Sequence, residues 1–301
     1  MNETAFNIDS PKGPLVAILH RPVASAKPSR LGVVMIVGGG PQYRVGGHRQ
    51  LTLWSRRLAA AGIPVLRFDH LGMGDSPGEY DGFTVLDDDI RCAIDRLVAE
   101  CPEVREAVLW GECSAASAAL YYAYRDPRVS GAVLLNLWVR TKALAAQATL
   151  RYYYLQRLLQ PSLWRKLFSG RFNPLASVKS AYQLVQEARS GEPEPTRDTH
   201  HPGLSAAIPR SLPLTKGLLM GLSRFKGRVM LVQSGRDMIA REFDVVVNAS
   251  PAWRAALARC DTQRHDMADG DHTFSSAVQR DQVITWALQW LAEKPVTVDA
   301  R

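Results

Sequence analysis

Hydrophobic residues along the chain form short β-branched runs that alternate with longer stretches of helical spacing. This alternation is typical of a mostly parallel sheet with helices on both faces. The sequence predicts strands over residues 15–20, 32–37, 64–68, 107–110, 131–135, 228–233 and 262–268. It predicts helices over residues 48–61, 85–99, 114–125, 243–259 and 277–293.

The alternation stops between residues 137 and 226, where apolar residues recur at helical spacing and Pro161 interrupts the run. A stretch rich in Pro, Ser, Thr and His, residues 190–213, is typical of a loop. We therefore expect one α/β core, built from residues 1–136 and 227–301, with residues 137–226 inserted as a helical cap.

The net charge of +8 is concentrated in this predicted cap. Residues 140–180 contain no Asp or Glu and eight basic residues: Arg140, Lys142, Arg151, Arg157, Arg165, Lys166, Arg171 and Lys179. Because the excess is local, nucleic-acid binding is not predicted. The basic segment is either a solvated helix face or a docking surface for an acidic carrier protein, an anionic substrate or an anionic membrane.

Composition narrows the class further. A hydrophobic content of 46% and a charged content of 22% are ordinary for a soluble globular protein. The first ten residues lack a basic start and an apolar segment, so we expect a cytoplasmic protein. The four cysteines form no CxxC pair or Cys/His cluster, so the sequence predicts no disulfide framework, metal or cofactor.

The segment AVLWGECSAAS predicts a strand, a sharp turn and a helix, with Cys113 at the turn. A nucleophile on such a turn needs small residues two positions before and after it, and Gly111 and Ala115 meet this condition. Ser114 is the competing nucleophile, but it would have the large Glu112 two positions before it. The following helix N-terminus favours a thiolate, so we predict Cys113 as the nucleophile.

Two later residues complete a nucleophile, acid and base order along the chain. Asp237 follows the strand RVMLVQ, and His272 lies in the turn DGDHTF. We predict His272 as the base and Asp237 as its orienting acid; the alternatives are a helix N-cap role for Asp237 and a role as the acid for Asp269 or Asp271. His200 and His201 are interpreted as solvated loop residues, and the His265 ring, within a predicted strand, is expected to pack or to point to solvent.

The glycine-rich segment VVMIVGGGPQYRVGGHRQ follows the predicted strand 32–37. Glycines allow a backbone N–H to face a developing oxyanion, and we predict Gly39 as one donor, with Gly40 next to it, and the N–H of Ser114 as the other. The segment lacks GxxxxGK[ST], and no GxGxxG opens a helix, so nucleotide binding is not predicted.

With RFDHLGMGDSPGE, which is similar to the DxRGxGxS segment of α/β hydrolases, the motifs GGGPQYRVGGHRQ, WGECSAAS, SGRD and GDHTF occur in α/β-hydrolase order. Together they resemble the group called exosortase A system-associated hydrolase 1, found near bacterial exopolysaccharide and protein-sorting genes. The resemblance implies an α/β-hydrolase core with a catalytic dyad or triad, akin to serine aminopeptidase-like hydrolases. The chain departs from the pattern in having Cys113 for Ser and Ala115 for the second Gly.

These residues predict a hydrolase of small acyl substrates. An amine leaves less readily than a thiolate, so we expect esters, thioesters or lactones rather than peptides. The alternatives are an acyltransferase that uses the same acyl-enzyme and a non-catalytic protein that retains the pocket.

Overall fold

The computed structural model describes residues 2–23, 29–38, 42–140 and 204–293. These form one eight-stranded sheet flanked by helices. The strands are β1 (Asn2–Ile8), β2 (Leu15–Arg21), β3 (Leu31–Ile36), β4 (Val65–Phe68), β5 (Glu106–Glu112), β6 (Val129–Leu135), β7 (Arg228–Ser234) and β8 (Thr262–Met267). The helices are α1 (Gln50–Ala60), α2 (Asp87–Glu100), α3 (Ser114–Ala123), α4 (Leu214–Arg224), α5 (Met238–Ala249), α6 (Pro251–Arg259) and α7 (Ala277–Ala292).

The strand order is β1-β2-β4-β3-β5-β6-β7-β8. Strands β3 to β8 are parallel, while β2 pairs antiparallel with both β1 and β4. The predicted α/β-hydrolase fold is confirmed. All seven predicted strands are present, but the edge strand β1 was missed because most of its residues are exposed and carry no continuous apolar signal.

The helix predicted over residues 243–259 is wrong as a single element. The structure has two helices there, α5 and α6, separated at Ser250. The Ser250 hydroxyl accepts a hydrogen bond from the Trp253 N–H and Pro251 occupies the first helical position, which together start a new helix. The Ser-Pro pair was a visible signal, but the apolar spacing continues across it.

Alternate residues of the strands belong to two hydrophobic clusters, one on each face of the sheet. Val33 and Met35 of β3 belong to the cluster that includes α1 and α7, whereas Val34 and Ile36 belong to the cluster that includes α2 to α6. Both faces are therefore covered, which explains why the strands are continuous apolar runs. Because β3, β5, β6 and β7 are parallel, their carboxyl ends meet at one edge of the sheet, where loops carry the polar residues.

Most of the predicted cap, residues 141–203, lies outside the described residues, so the domain division stays a prediction. At its end, α4 packs against the core helices α3 and α6. The segment before α4 is tied to the core by a buried cluster in which Asp87 pairs with both Arg125 and Arg210. In the described part of the chain no helix is both long and apolar enough to cross a membrane.

Candidate active site

Cys113 lies on a strained turn between β5 and α3. Its φ is 58° and its ψ is −123°, a conformation that residues with a side chain rarely adopt. A Cβ at Gly111 would overlap the backbone of Ala115, so the turn requires glycine two positions before Cys113. Strand β5 and helix α3 thus hold a thiol at the carboxyl edge of the sheet, next to the positive end of a helix.

The structure brings the three predicted residues together. The His272 ring contacts Asp237 through Nδ1 and Oδ2 at 2.7 Å. The other Asp237 oxygen, Oδ1, accepts a hydrogen bond from the Ile239 N–H at 3.1 Å, which makes Asp237 the N-cap of α5 as well. The two roles weighed for Asp237 are therefore compatible, since each oxygen serves one of them.

His272 also contacts the thiol. Hydrogen bonds to Asp237 and then to Cys113 raise the pKa of His272 to about 10, against the opposing effect of burial. The imidazole is thereby held between a carboxylate and a sulfur atom, and it can carry a proton from one reaction step to the next. An adjacent base of this kind can activate a thiol as a nucleophile.

The other thiols differ from Cys113 in their surroundings. Burial raises the pKa of Cys101 to about 11, and it also raises the pKa of Cys92 and of Cys260. Cys92 and Cys113 have the same exposed fraction, 7%. Access alone therefore does not distinguish them, whereas the contact with His272 does.

Asn136 is a site residue that the sequence analysis missed. It follows β6 with a φ of 46° and is fully buried. Its side-chain N–H groups donate to the Ser234 hydroxyl at 2.7 Å and to the His272 carbonyl at 2.8 Å, while its carbonyl accepts from the Ser234 N–H. The Ser234 hydroxyl in turn donates to the Asp271 carbonyl. A polar residue directly after an apolar strand was the available signal.

Asp271 was weighed as an alternative acid. Its Oδ1 accepts from the N–H groups of Thr273 and Ser275, and its other oxygen pairs with the Ser275 hydroxyl. These bonds shape the turn that carries His272. The Asp269 backbone carbonyl accepts a hydrogen bond from the Gln279 side-chain amide at 2.9 Å.

On the oxyanion side, Gly39 and Gly40 lie outside the described residues, so the role of Gly39 stays a prediction. Gly38, just before them, packs so closely on the Cys113 turn that a Cβ there would overlap the Glu112 carbonyl. Ser114 opens α3, which directs its N–H out of the helix start beside Cys113.

The loop DHLGMGDS supports the same edge. His70 is buried, contacts the Val37 carbonyl through Nε2 at 3.2 Å and stacks on Tyr80. Asp69 is fully buried and pairs with Arg44. Gln42 and Gly46, on either side of Arg44 in the chain, line the cavity beside Cys113. The family-like motif was recognised in the sequence, but its contacts with the glycine-rich segment were not predicted.

The other histidines have separate surroundings. His265 stacks on Trp286 at 4.5 Å, so of the two alternatives for its ring the structure shows packing. His200 and His201 fall outside the described residues. His20 is buried, and burial lowers its pKa to about 4.

A small cavity opens beside the thiol. It has a volume of about 60 Å³, and its lining includes Cys113, Glu112, His272, Gln42 and Gly38. Across the described ranges, no cluster of His, Cys, Asp and Glu has the arrangement of a metal site.

Comparisons with known proteins agree with this architecture. Solved structures with the same fold include an α/β serine hydrolase without lid from Xanthomonas campestris, 14% identical over 98% of both chains with a TM-score of 0.56. An esterase from Pyrococcus furiosus is 14% identical over 96% of this chain and 90% of its own, with a TM-score of 0.61. A thermostable carboxyl esterase from Bacillus coagulans is 15% identical over 97% and 98%, with a TM-score of 0.59.

No curated protein sequence matches the chain significantly. The family described as serine aminopeptidase, S33, matches residues 32–268, which contain β4 to β8, all of β3 except Leu31, and both Cys113 and Asp237. His272 lies just beyond the matched range. The chain belongs to this serine aminopeptidase family of α/β-fold hydrolases.

Proposed function

We propose that this protein hydrolyses esters, thioesters or lactones through an acyl-enzyme on Cys113. The observation that carries the proposal is the contact of His272 with both Cys113 and Asp237, at a strained turn that exposes the nucleophile to the site cavity. The esterase names of two structural relatives are consistent with this class of substrate.

In the first half-reaction, His272 takes the Cys113 proton and the sulfur attacks the acyl carbonyl carbon. The N–H groups of Ser114 and Gly39 stabilise the oxyanion of the tetrahedral intermediate. Collapse of the intermediate breaks the bond to the alcohol or thiol, which leaves with the proton from His272. Asp237 fixes the orientation and tautomer of the imidazole throughout.

In the second half-reaction, His272 takes a proton from water and the hydroxide attacks the Cys113 thioester. The carbon–sulfur bond breaks, the carboxylic acid departs, and the thiol regains its proton from His272. Amides are poor substrates in this scheme, because the thiolate leaves the tetrahedral intermediate more readily than an amine.

Intact-mass spectrometry tests the proposal directly. The protein is mixed with activated esters and thioesters, and the expected result is one acyl group on Cys113, found by peptide mapping. Cys92, with equal exposure, is the internal control and stays unmodified. The variant Cys113→Ala is expected to lose the adduct and the hydrolysis, whereas Ser114→Ala retains most activity.

Three outcomes contradict the proposal. Loss of activity in Ser114→Ala but not in Cys113→Ala makes Ser114 the nucleophile. The absence of any adduct across the panel favours a non-catalytic binding protein. If the acyl group passes to an added amine or sugar in preference to water, the enzyme is an acyltransferase.

The partner and the cellular setting form part of this proposal. We propose that the basic segment docks an acidic carrier protein or an anionic membrane surface in the cytoplasm. The exosortase-system resemblance supports a link between this reaction and exopolysaccharide or protein-sorting chemistry. Of the eight basic residues, the structure describes Arg140, which pairs with the buried Glu242 at 2.8 Å. Arg140 thus anchors the start of the segment, and docking depends on the other seven.

Replacing Arg157, Arg165, Lys166 and Arg171 together with Gln tests the docking. We expect weaker binding to anionic vesicles or to acidic carrier protein, with a smaller salt dependence, while turnover of a small neutral ester is retained. Unchanged binding to both partners contradicts docking and leaves the charge as a solvated face.

A further inference from the structure

Glu112 is an acidic side chain at the nucleophile that the proposed mechanism does not use. It ends β5, directly before Cys113, and this half-buried residue lines the same cavity as Cys113 and His272. Its Oε1 is buried and has no hydrogen-bond partner in the described part of the chain. Buried polar atoms normally have a partner, so this oxygen is suited to a ligand that supplies one.

The charges around Glu112 favour a neutral partner. Burial raises the pKa of Glu112 to about 7; the Asp237 and Asp271 carboxylates act in the same direction, and His272 opposes them. Near neutral pH the carboxyl group is therefore present in both protonation states. A hydroxyl group can pair with either state, since it both donates and accepts hydrogen bonds.

The cavity itself limits the size and charge of what enters. Its volume of about 60 Å³ is enough for a few water molecules or one short polar group. Gln42 and Thr273 add polar atoms to the lining, and Leu51 and Ile36 add apolar surface. Among its described lining residues there is no Lys or Arg, and a carboxylate or phosphate placed against Glu112 would meet a second acidic group.

We propose that Glu112 selects acyl substrates that carry a hydroxyl group close to the scissile carbonyl, with this hydroxyl in the cavity and hydrogen-bonded to the carboxyl group. The hydroxyl must be close to the carbonyl because the cavity adjoins Cys113. This inference rests on the proposed function, since it takes Cys113 as the nucleophile that attacks the carbonyl. Glu112 is then a specificity residue that contacts the substrate.

Isosteric thioesters test the selection. The N-acetylcysteamine thioesters of butanoate, 3-hydroxypropanoate and 3-aminopropanoate differ only in a terminal methyl, hydroxyl or ammonium group. In the wild-type protein we expect kcat/KM for the hydroxy substrate to exceed that for butanoate about tenfold, the effect of one hydrogen bond. Glu112→Leu should abolish this ratio, and Glu112→Gln should retain part of it, because an amide also pairs with a hydroxyl group.

Glu106→Leu is the matched control, since Glu106 is exposed at the opposite end of the same strand. It should keep the wild-type ratio. An unchanged ratio in Glu112→Leu overturns the proposal. A preference for the amino substrate that disappears in both Glu112→Leu and Glu112→Gln overturns the hydroxyl assignment in favour of an ammonium group.

A binding measurement separates this inference from the proposed function. In Cys113→Ala, which cannot form the acyl-enzyme, NMR titration compares 3-hydroxypropanamide with butanamide. We expect tighter binding of the hydroxy amide, and loss of the difference when Glu112→Leu is added. If Cys113→Ala binds the hydroxy amide more tightly but the wild-type protein hydrolyses no thioester, the proposed function fails and the Glu112 site stands. If Cys113→Ala binds the two amides equally and the wild-type protein hydrolyses the hydroxy and butanoyl thioesters equally, the function stands and the Glu112 site is overturned.

Discussion

Two cavities lie at opposite ends of the parallel strands, and the proposed nucleophile lines the smaller one. The cavity at the amino ends of β3, β5, β6 and β7 has a volume of about 450 Å³, compared with about 60 Å³ beside Cys113. In the larger cavity Arg228 already has partners: it donates to the Trp290 carbonyl at 2.9 Å and stacks over the Trp290 ring. The proposed active site is therefore at the smaller of these two cavities.

The difference follows from the direction of the chain. At the carboxyl edge, β5 runs into the N-terminus of α3 and β7 runs into that of α5, so helix starts surround the site. Their exposed N–H groups and dipoles favour the negative charge that the proposed mechanism develops on sulfur and on an oxyanion. At the amino edge, helices end, and their carbonyl groups offer no such stabilisation.

The largest expected effect comes from replacing His272, the proposed general base at the carboxyl edge of the sheet. His272→Ala should lower kcat/KM for an activated ester by about 10⁴-fold or more, because the imidazole carries every proton transfer in the scheme. Steady-state kinetics measures the loss. His265→Ala is the control. His265 lies on the edge strand β8 and its ring stacks on Trp286 of α7, so this variant should retain wild-type kinetics. Loss of less than tenfold in His272→Ala would remove this edge from consideration as the active site.

Asp237→Asn should lower kcat/KM by at least about tenfold, a smaller effect because it alters orientation rather than proton transfer. The asparagine can still accept the Ile239 N–H, so the α5 cap and the fold should be retained, as circular dichroism can verify. Full activity in this variant would reduce the arrangement to a Cys-His pair.

The same variant has a stability signature that depends on pH. The folded-state pKa of His272, about 10, exceeds its ordinary value of 6.5, so the stabilisation that it provides is complete below pH 6.5 and declines as the pH rises towards 10. The Tm difference between wild type and Asp237→Asn should therefore shrink over this range, because the Asp237 hydrogen bond is the largest contribution to the raised pKa. A difference that grows towards pH 10 would contradict the assignment.

Asn136 tests whether the buried network positions His272. Asn136→Gly removes the amide contacts with Ser234 and His272 without straining the positive φ, and we expect kcat/KM to fall by about tenfold with KM little changed. Asn136→Ala adds strain of about 1–3 kcal/mol and should also lower Tm further. Equal kinetics in wild type and Asn136→Gly would show that the His272 turn holds its position without the amide.

The smallest expected effect on activity is at the amino edge. Arg228→Leu removes the contacts with Trp290 and should destabilise the fold by about 1 kcal/mol, while kcat/KM stays within about twofold of wild type. Thermal unfolding and ester hydrolysis measure the two quantities. A large loss of activity without a fall in Tm would give the larger cavity a functional role.

Much of this was predictable from local patterns. Apolar runs and helical spacing gave seven strands and most helices, because each element buries its apolar residues in a repeating way. The small residues around Cys113 and the order of Asp237 and His272 predicted the site residues that the fold brings together. The failures have local causes: β1 has little buried surface, and the Ser250-Pro251 break lies within a continuous apolar pattern.

The sequence by itself determined the fold class and the identity of the three clustered side chains, because strand–turn–helix chemistry is encoded over a few adjacent residues. Only the tertiary structure decided the contacts between residues far apart in the chain. It placed Asn136 under the His272 turn, gave Asp237 two hydrogen-bonding partners and left the Glu112 Oε1 without one among the described residues. These depend on how the strand ends align in the sheet, which no local spacing specifies.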